Sequence, residues 1–287
     1  MAKQGPESPS FPTEATLDEA RDLDRRGIAE VLRLIHEQDG VAHAAVGRAL
    51  PKIEEAVEVL ATVLAGGGHW FNVGAGTSGR LGVLDASEMP PTFGVPPKMV
   101  QGVIAGGERA LRHPVEGAED DPKAAVFALQ ERGLSMGDAV VAISASGRTP
   151  YALGALEAAH QVGARRIAIT CDPHSPLAEG AEIVIALEVG PEVVAGSTRM
   201  KGGLAQKMVL TLLSTAVMVK LGKVRGNLMT HVTPVSSKLR GRAVRIVMAL
   251  AGVDKNEARR LLRETDGSVE LALRLAKSGD AGKGSLG

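Results

Sequence analysis

Three small hydroxyl residues and a glycine, Ser144, Ser146, Gly147 and Thr149, lie within the short segment ISASGRTP. The segment follows an apolar run and ends at Pro150, a residue favoured at the first position of a helix. Small hydroxyls beside the free backbone N–H groups of a helix start can surround a phosphate monoester, whose oxygens accept several hydrogen bonds. An ordinary helix cap with a hydroxyl turn would use the same residues. We favour a phosphate-binding loop.

A second glycine-rich turn, GAGTSG at positions 74–79, also stands between an apolar stretch and a helical pattern. It matches the dinucleotide pattern G-x-G-x-x-G, but the acidic residue expected about 20 positions later is missing. A Walker A loop fits less well, because Arg80 stands where lysine is required. A plain strand-to-helix connection is the remaining alternative. With the phosphate assigned to Ser144–Thr149, we expect these glycines to admit the remainder of the ligand beside Ser78.

Two acidic segments could supply acid and base catalysts. Glu88 precedes Met-Pro-Pro, and a residue before proline is disfavoured in the α region, so we expect Glu88 in or just past the last turn of its helix. A carboxyl group at the negative end of a helix suits a general acid. Glu116 and Glu119 in VEGAEDD are three residues apart and could share one helical face. The alternatives are an exposed helix-end glutamate and a solvated acidic loop.

A third segment, GPEVVAGSTRMK, again joins a strand to a helix. It could bring Ser197, Thr198 and Lys201 to the sugar or phosphate, or it could simply cap the helix. The only cysteine, Cys171, is interpreted as a packing residue rather than a nucleophile. The histidines have no metal-ligand spacing, so neither a catalytic metal nor a cofactor is expected.

Composition excludes several function classes. The 287 residues carry 33 basic and 33 acidic side chains, so no net field favours nucleic acid or an anionic membrane as partner. Arg240, Arg242 and Arg245 are interpreted as a solvated helix face. A single cysteine excludes an intramolecular disulfide framework, and the N-terminus lacks the apolar core of a signal peptide. We therefore expect a cytoplasmic protein with a small-molecule ligand, without nucleic-acid or membrane partners.

The elements that must position these residues alternate between strands and helices, which predicts an α/β fold with a parallel sheet flanked by helices. The predicted strands are His69 to Val73, Met99 to Ala105, Ala139 to Ser144, Arg166 to Thr170 and Ile183 to Leu187. The predicted helices are Gly79 to Glu88, Ala124 to Glu131, Pro150 to Val162 and Thr198 to Gly222. Residues 17–64 are also helical in pattern, with Pro51 near a helix start. Ligands in such sheets bind beyond the carboxyl ends of the strands.

The segments GAGTSGRLGVLDASEMPPTFG, IAGGERALRHPVEGAEDD, SASGRTPY, GPEVVAGSTRMK and KLGKVRGNLM together resemble the N-acetylmuramic acid 6-phosphate etherases, a family of the sugar-isomerase (SIS) fold. The glucokinase regulatory protein is a relative of this family. The resemblance implies a SIS-type three-layer sandwich with added N-terminal helices and a small C-terminal helical region. Together with composition and periodicity, it predicts a flexible arm (1–15), N-terminal helices (16–65), a SIS sugar-phosphate domain (66–225) and a C-terminal helical region (226–287).

The resemblance also implies an activity and roles for residues. The reaction is cleavage of the D-lactyl ether of N-acetylmuramic acid 6-phosphate to N-acetylglucosamine 6-phosphate and D-lactate, by elimination and addition of water, in cell-wall sugar recycling. Glu88 matches the family's acid and Glu119 its second catalytic carboxylate, the expected base. The expected substrate contacts are Ser78, Ser144, Ser146, Gly147, Thr149 and Ser197. A homodimer is expected, and a non-catalytic sugar-phosphate sensor with the same pocket is the alternative.

The chain departs from the family pattern at three places. The usual asparagine is missing after Thr13-Glu14, Pro114 replaces a common alanine, and His231 stands where aspartate is usual. None of these changes removes a proposed catalytic residue.

Overall fold

The computed structural model describes residues 11–231 and 237–281 of the chain. Its central element is a sheet of five strands, and the predicted strands are confirmed with small shifts at their ends. The strands are β1 Trp70–Gly74, β2 Val100–Ile104, β3 Ala139–Ile143, β4 Arg165–Thr170 and β5 Ile183–Ala186.

All pairings in this sheet are parallel, and the strand order is β2-β1-β3-β4-β5. β1 and β3 are central, and every residue of both strands is buried. Helices cover both faces of a parallel sheet, so the sequences of such strands are mainly apolar and do not alternate between apolar and polar residues. The carboxyl ends of β1 and β3 are adjacent, since Gly74 is in register with Ile143. The two loops that follow these strands therefore meet at one edge of the sheet.

The described residues contain ten α-helices around and beyond this sheet. Their bounds are α1 Ile28–Ala65, α2 Gly76–Phe93, α3 Gly107–Ala110, α4 Pro122–Glu131, α5 Pro150–Val162, α6 Pro176–Glu179, α7 Lys201–Lys220, α8 Ser237–Ala251, α9 Lys255–Glu264 and α10 Val269–Ala281. Short 3₁₀ turns occur at Asp18–Ala20, Leu23–Arg25 and Ala118–Asp120. The expected α/β class is confirmed.

The chain forms two compact units, and the first comprises residues 11–86 and 100–214. On one face of its sheet, Phe71 and Val140 pack with Leu129 of α4 and Tyr151 of α5 in one buried cluster. The cluster is otherwise dominated by alanine and valine. Small side chains allow helices and strands to approach closely, which explains how a chain with 2% aromatic residues builds a dense core.

The prediction that Pro51 lies near a helix start is wrong, because α1 runs through it without interruption for 38 residues. Proline removes the hydrogen bond to the carbonyl four residues earlier, which here belongs to Gly47. Pro51 and Gly47 are both exposed, so water can satisfy that carbonyl. Leu60, Ala61 and other buried residues on the opposite side hold the helix against the core.

α2 also differs from its prediction. It begins at Gly76 rather than Gly79 and continues through Pro90 and Pro91 to Phe93. Glu88 therefore lies inside the helix and not in its last turn. The rule that a residue before proline leaves the α region is a preference, and here the helix continues with Met89 and Phe93 buried.

The second unit comprises residues 87–99 and the described part of 215–281. α8, α9 and α10 enclose a small core of their own around Ile246, Val247, Leu261 and Leu273. Asp254 caps the N-terminus of α9, since its carboxylate accepts hydrogen bonds from the N–H groups of residues 256 and 257. A two-stranded antiparallel hairpin is formed by β6 Val224–Arg225 and β7 Leu228–Met229.

α7 is the one described helix whose length and apolar character would allow it to cross a membrane. Just over half of its most apolar window is buried within the protein. Val209, Leu210 and Leu213 have almost no exposed surface. A helix buried in a protein core can have the same length and apolar character as a membrane span. The burial of α7 indicates that it is such a core helix.

Candidate active site

A polar cleft of about 380 Å³ lies in the first unit, where the chain leaves β1 and β3. Its walls come from the glycine turn, the hydroxyl loop, the 3₁₀ turn after α3, the loop before α7 and the first described residues of the chain. The lining residues are Thr13, Glu14, Ala75, Gly76, Thr77, Ser78, Glu119, Asp120, Ser144, Ala145, Ser146, Arg148, Thr149, Pro150, Gly196 and Thr198. The cleft thus brings together most residues of the predicted site at the predicted edge of the sheet.

The hydroxyl loop forms a compact cluster of oxygen atoms. Ser144 Oγ lies 2.9 Å from Thr149 Oγ1 and 3.4 Å from Ser146 Oγ. Ser144 and Ser146 also accept hydrogen bonds from the backbone N–H groups of Gly147 and Arg148, as a hydroxyl turn would. Thr149 stands at the cap position of α5 but makes no side-chain bond to the helix. The hydroxyl cluster thus lies at the N-terminal end of a 13-residue helix, an arrangement that favours an anionic ligand.

Gly147 fixes the shape of this loop, although it does not line the cleft itself. Its φ is +66°, a left-handed conformation that favours glycine. A Cβ at this position would overlap the Ser175 side chain and lie 2.8 Å from Thr170 Oγ1. The Gly147 carbonyl also accepts a hydrogen bond of 3.0 Å from the N–H of Leu177. A larger residue would therefore displace the loop from the segment beneath it.

We expect Gly147→Ala to weaken binding of inorganic phosphate by roughly tenfold or more, because the clash would move the hydroxyls that are predicted to contact the phosphate. Gly133→Ala is the matched control, since Gly133 also has positive φ, at +78°, and has open space where a Cβ would stand. The control should lose about 1 kcal/mol of stability from backbone strain and keep its phosphate affinity. Calorimetric titration with phosphate tests both variants. Equal phosphate affinity in Gly147→Ala and wild type would show that this loop does not bind the anion.

The glycine turn brings the end of β1 and the start of α2 into close contact. A Cβ on Gly79 would lie 2.5 Å from the Gly74 carbonyl oxygen, so these glycines serve backbone packing. Ser78 is nearly buried, lines the cleft and donates a hydrogen bond of 2.9 Å to Gln206 Oε1. Gln206 Nε2 is buried without a hydrogen-bond partner among the described residues. If the Gln206 side-chain amide were rotated by half a turn, its Nε2 would donate to the Ser78 hydroxyl. The Ser78 hydroxyl would then be free to donate to a sugar oxygen.

The structure separates the acidic residues that the sequence grouped together. Glu119 and its neighbour Asp120 line the cleft from the 3₁₀ turn Ala118–Asp120. Glu116 is exposed and is not among the lining residues. Glu88 is an exposed residue of the second unit and is likewise not among them.

The loop before α7 is fixed mainly by a buried carboxylate. Glu192 accepts hydrogen bonds of 3.1 and 2.9 Å from the backbone N–H groups of Lys201 and Gly202 and so caps α7. Lys201, proposed from the sequence as a ligand contact, is buried and donates to Gln38 instead. Burial raises the pKa of the Glu192 carboxyl group and lowers that of the Lys201 ammonium. Gly196 and Thr198 line the cleft, and the predicted contact Ser197 lies between them.

Cys171 is buried, and desolvation followed by the nearby Glu192 charge raises the pKa of its thiol to about 12. A thiol that is not ionised near neutral pH is a poor nucleophile, which agrees with the packing role expected from the sequence. No group of three or more His, Cys, Asp or Glu residues with the arrangement of a metal site occurs in the described part of the chain.

Asp85, on the α2 segment of the first unit, is a partly buried carboxylate that the sequence did not single out. Ser214 Oγ donates a hydrogen bond of 3.0 Å to its Oδ1, whereas its Oδ2 is buried without a partner among the described residues. Burial raises the pKa of Asp85 from 3.8 to about 6, although the Ser214 bond and the Lys207 charge oppose the shift. Ionised Asp85 therefore destabilises the folded state.

The raised pKa gives a stability prediction with a definite sign. The folded state holds the Asp85 proton more tightly than the unfolded state, so the favourable contribution is full below pH 3.8 and is lost as pH rises through about 6. We expect Asp85→Asn to be about 2 kcal/mol more stable than wild type at pH 8, with the difference shrinking toward pH 4. Urea unfolding at several pH values measures this difference. A difference that does not change with pH would contradict the assignment.

Models of two related domain families match the chain. Residues 52–160 match the glucokinase regulatory protein N-terminal SIS domain, and residues 130–218 match the SIS domain. A solved protein of Escherichia coli CFT073 covers 70% of this chain and 97% of its own at TM-score 0.51 and 18% identity. A phosphoheptose isomerase from Francisella tularensis covers 68% and 100% at TM-score 0.51 and 16% identity. The fold is that of a SIS-domain protein, as the sequence predicted.

Curated relatives define the family more narrowly. N-acetylmuramic acid 6-phosphate etherases from Symbiobacterium thermophilum and Pectobacterium atrosepticum are 51% and 49% identical to the chain. The alignments cover 91% and 88% of this chain, and 87% and 83% of those proteins. The etherase of Mesorhizobium japonicum is 48% identical over 93% of this chain and 88% of its own. The chain belongs to the N-acetylmuramic acid 6-phosphate etherase family, which confirms the resemblance.

Proposed function

We propose that this chain cleaves the D-lactyl ether of N-acetylmuramic acid 6-phosphate, releasing D-lactate and N-acetylglucosamine 6-phosphate. The observation that carries the proposal is a single cleft that combines a hydroxyl cluster at a helix N-terminus with the carboxylate of Glu119. The relatives named for this activity match about nine-tenths of the chain, so the proposal agrees with the family. Cleavage of an ether by elimination is carbon–oxygen lyase chemistry.

The chemistry starts from the open-chain form of the sugar, whose C1 aldehyde makes the C2 proton acidic. A base removes that proton, the C3–oxygen bond breaks, and an acid protonates the departing lactate oxygen. Water then adds to C3 of the unsaturated aldehyde, and a proton returns to C2. Carbon is neither oxidised nor reduced overall, so the reaction needs only positioned groups that transfer protons.

Glu119 is the proposed base. It lies on the acidic turn that lines the cleft, and a carboxylate there can take the C2 proton of a sugar whose phosphate is held by the hydroxyl loop. Glu88 is the proposed acid. That role rests on the DASE segment, which resembles the family's acid-bearing motif.

The proposed phosphate contacts are the hydroxyls of Ser144, Ser146 and Thr149, and Gly147 supports them by fixing the shape of their loop. These donors are neutral, and among the described residues Arg148 is the one cationic side chain that lines the cleft. Asp172 partly compensates its charge through a contact of 3.1 Å with Arg148 Nη2. Ser78 and Ser197 are the proposed sugar contacts. We further propose a homodimer in the cytoplasm, a reducing compartment that suits a chain with one free thiol.

Incubation with N-acetylmuramic acid 6-phosphate in heavy water tests the function. We expect stoichiometric release of D-lactate and incorporation of deuterium at C2 of the N-acetylglucosamine 6-phosphate formed. Absence of lactate, with tight binding of the sugar phosphate retained, would identify a sensor in place of an enzyme.

A further inference from the structure

The first described residues of the chain form a small turn that contacts the hydroxyl loop. The N–H groups of Glu14 and Ala15 donate to the Phe11 carbonyl at 3.0 and 3.2 Å, which closes the turn. The Phe11 ring lies 4.0 Å from the guanidinium carbon of Arg148, within the range of a cation–π contact. Residues 11–15, hereafter the N-terminal turn, are therefore attached to the loop proposed to bind phosphate.

The N-terminal turn also approaches the loop before α7. The Glu14 carboxylate lies near Gly196, where a Cβ would stand 3.1 Å from Glu14 Oε2. Thr13 and Glu14 both line the cleft. The turn thus contributes to the wall of the cleft together with two loops that are distant in sequence.

Thr13 is the unusual member of this turn. Only 2% of its surface is exposed, and its Oγ1 is buried without a hydrogen-bond partner in the part of the chain that the structure describes. A buried hydroxyl with no partner destabilises the free protein, so such a group calls for an explanation. A ligand oxygen in the cleft would supply the missing acceptor.

We propose that Thr13 is a further substrate-binding residue that donates its hydroxyl proton to a phosphate oxygen of the sugar phosphate. Phosphate is favoured over the sugar hydroxyls because the N-terminal turn is attached to Arg148, next to Ser146 and Thr149. Each of the three terminal oxygens of a phosphate monoester can accept more than one hydrogen bond, so a fourth hydroxyl donor can bind alongside Ser144, Ser146 and Thr149. The inference deepens the proposed function and rests on it.

Three variants separate a binding role from a packing role. Thr13→Val keeps the shape and removes the hydroxyl, Thr13→Ser keeps the hydroxyl, and Thr13→Ala removes both the hydroxyl and the methyl group. The probes are inorganic phosphate, N-acetylglucosamine 6-phosphate and unphosphorylated N-acetylglucosamine, each measured by calorimetric titration and by the ligand-induced change in Tm.

We expect Thr13→Val and Thr13→Ala to bind both phosphate compounds about tenfold or more weakly, with a smaller ligand-induced rise in Tm. Thr13→Ser should bind them within about threefold of wild type. Without ligand, Thr13→Val should melt no lower than wild type, since it buries no unpaired polar atom. Binding of unphosphorylated N-acetylglucosamine should be unchanged in all three variants.

Wild-type phosphate affinity in Thr13→Val would overturn the proposal. A lower Tm of ligand-free Thr13→Val, with the ligand-induced change preserved, would also overturn it, because the hydroxyl would then have a structural role. A loss of affinity shared equally by unphosphorylated N-acetylglucosamine would contradict the assignment to phosphate. These assays measure binding and not lactate release, so failure of the proposed reaction and failure of the Thr13 proposal give different results.

Discussion

Replacement of Glu119 by glutamine is expected to lower both D-lactate release and deuterium exchange at C2 by about 10²–10⁴-fold, the usual contribution of a general base. Glutamine keeps the size of the side chain and its hydrogen-bonding oxygen but cannot accept the C2 proton. The measurement is the heavy-water assay, with lactate and C2 deuterium followed in the same sample. Because the change leaves the hydroxyl loop intact, affinity for N-acetylglucosamine 6-phosphate should stay within a few fold of wild type.

Glu116→Gln is the matched control for this variant. Glu116 is three residues away in the same acidic segment, is exposed and does not line the cleft. The Glu116→Gln substitution removes the same charge from the segment as Glu119→Gln does. Any general electrostatic effect should therefore appear in both variants. Equal activities of Glu116→Gln and Glu119→Gln would show that the base lies elsewhere.

Replacement of Glu88 by alanine or glutamine is expected to abolish lactate release while exchange at C2 continues. Without an acid to protonate the leaving oxygen, the C3–oxygen bond cannot break readily, whereas removal and return of the C2 proton need only the base. The loss of lactate release should be about 10²–10⁴-fold. The same two-signal assay in heavy water separates the steps.

The opposite result for Glu88 would reassign the roles. Loss of C2 exchange in a Glu88 variant would make Glu88 the base and leave Glu119 as the acid. The two carboxylates are thus distinguished by which signal disappears, even though either loss stops the overall reaction.

Local chemistry made much of the fold predictable. The five strands are short and mainly apolar, as expected for a parallel sheet that is covered on both faces. The hydroxyl loop was predictable for a related reason. Its hydroxyl residues and Pro150 are neighbours in the sequence, so the local turn at Gly147 is enough to bring the hydroxyls together.

The predictions were wrong where tertiary packing outweighs the local backbone preference of a residue. Pro51 and Pro90 are interior residues of long helices, because buried faces hold those helices together despite the lost hydrogen bonds. Lys201 follows a plausible binding segment, yet its ammonium is turned to Gln38 inside the fold. The spacing of these residues along the chain does not indicate which side chains will be buried.

The sequence by itself determined the fold class and the family and singled out the hydroxyl loop as the predicted phosphate site, since each depends on residue types and distances along the chain. Only the tertiary structure decided which residues share the cleft. Thr13 is more than 130 residues from the hydroxyl loop, and no periodicity links the two. Glu116 and Glu119 look equivalent in sequence, but only Glu119 lines the cleft. Burial and contact between distant segments are properties of the folded chain, and these select the residues that can meet a ligand.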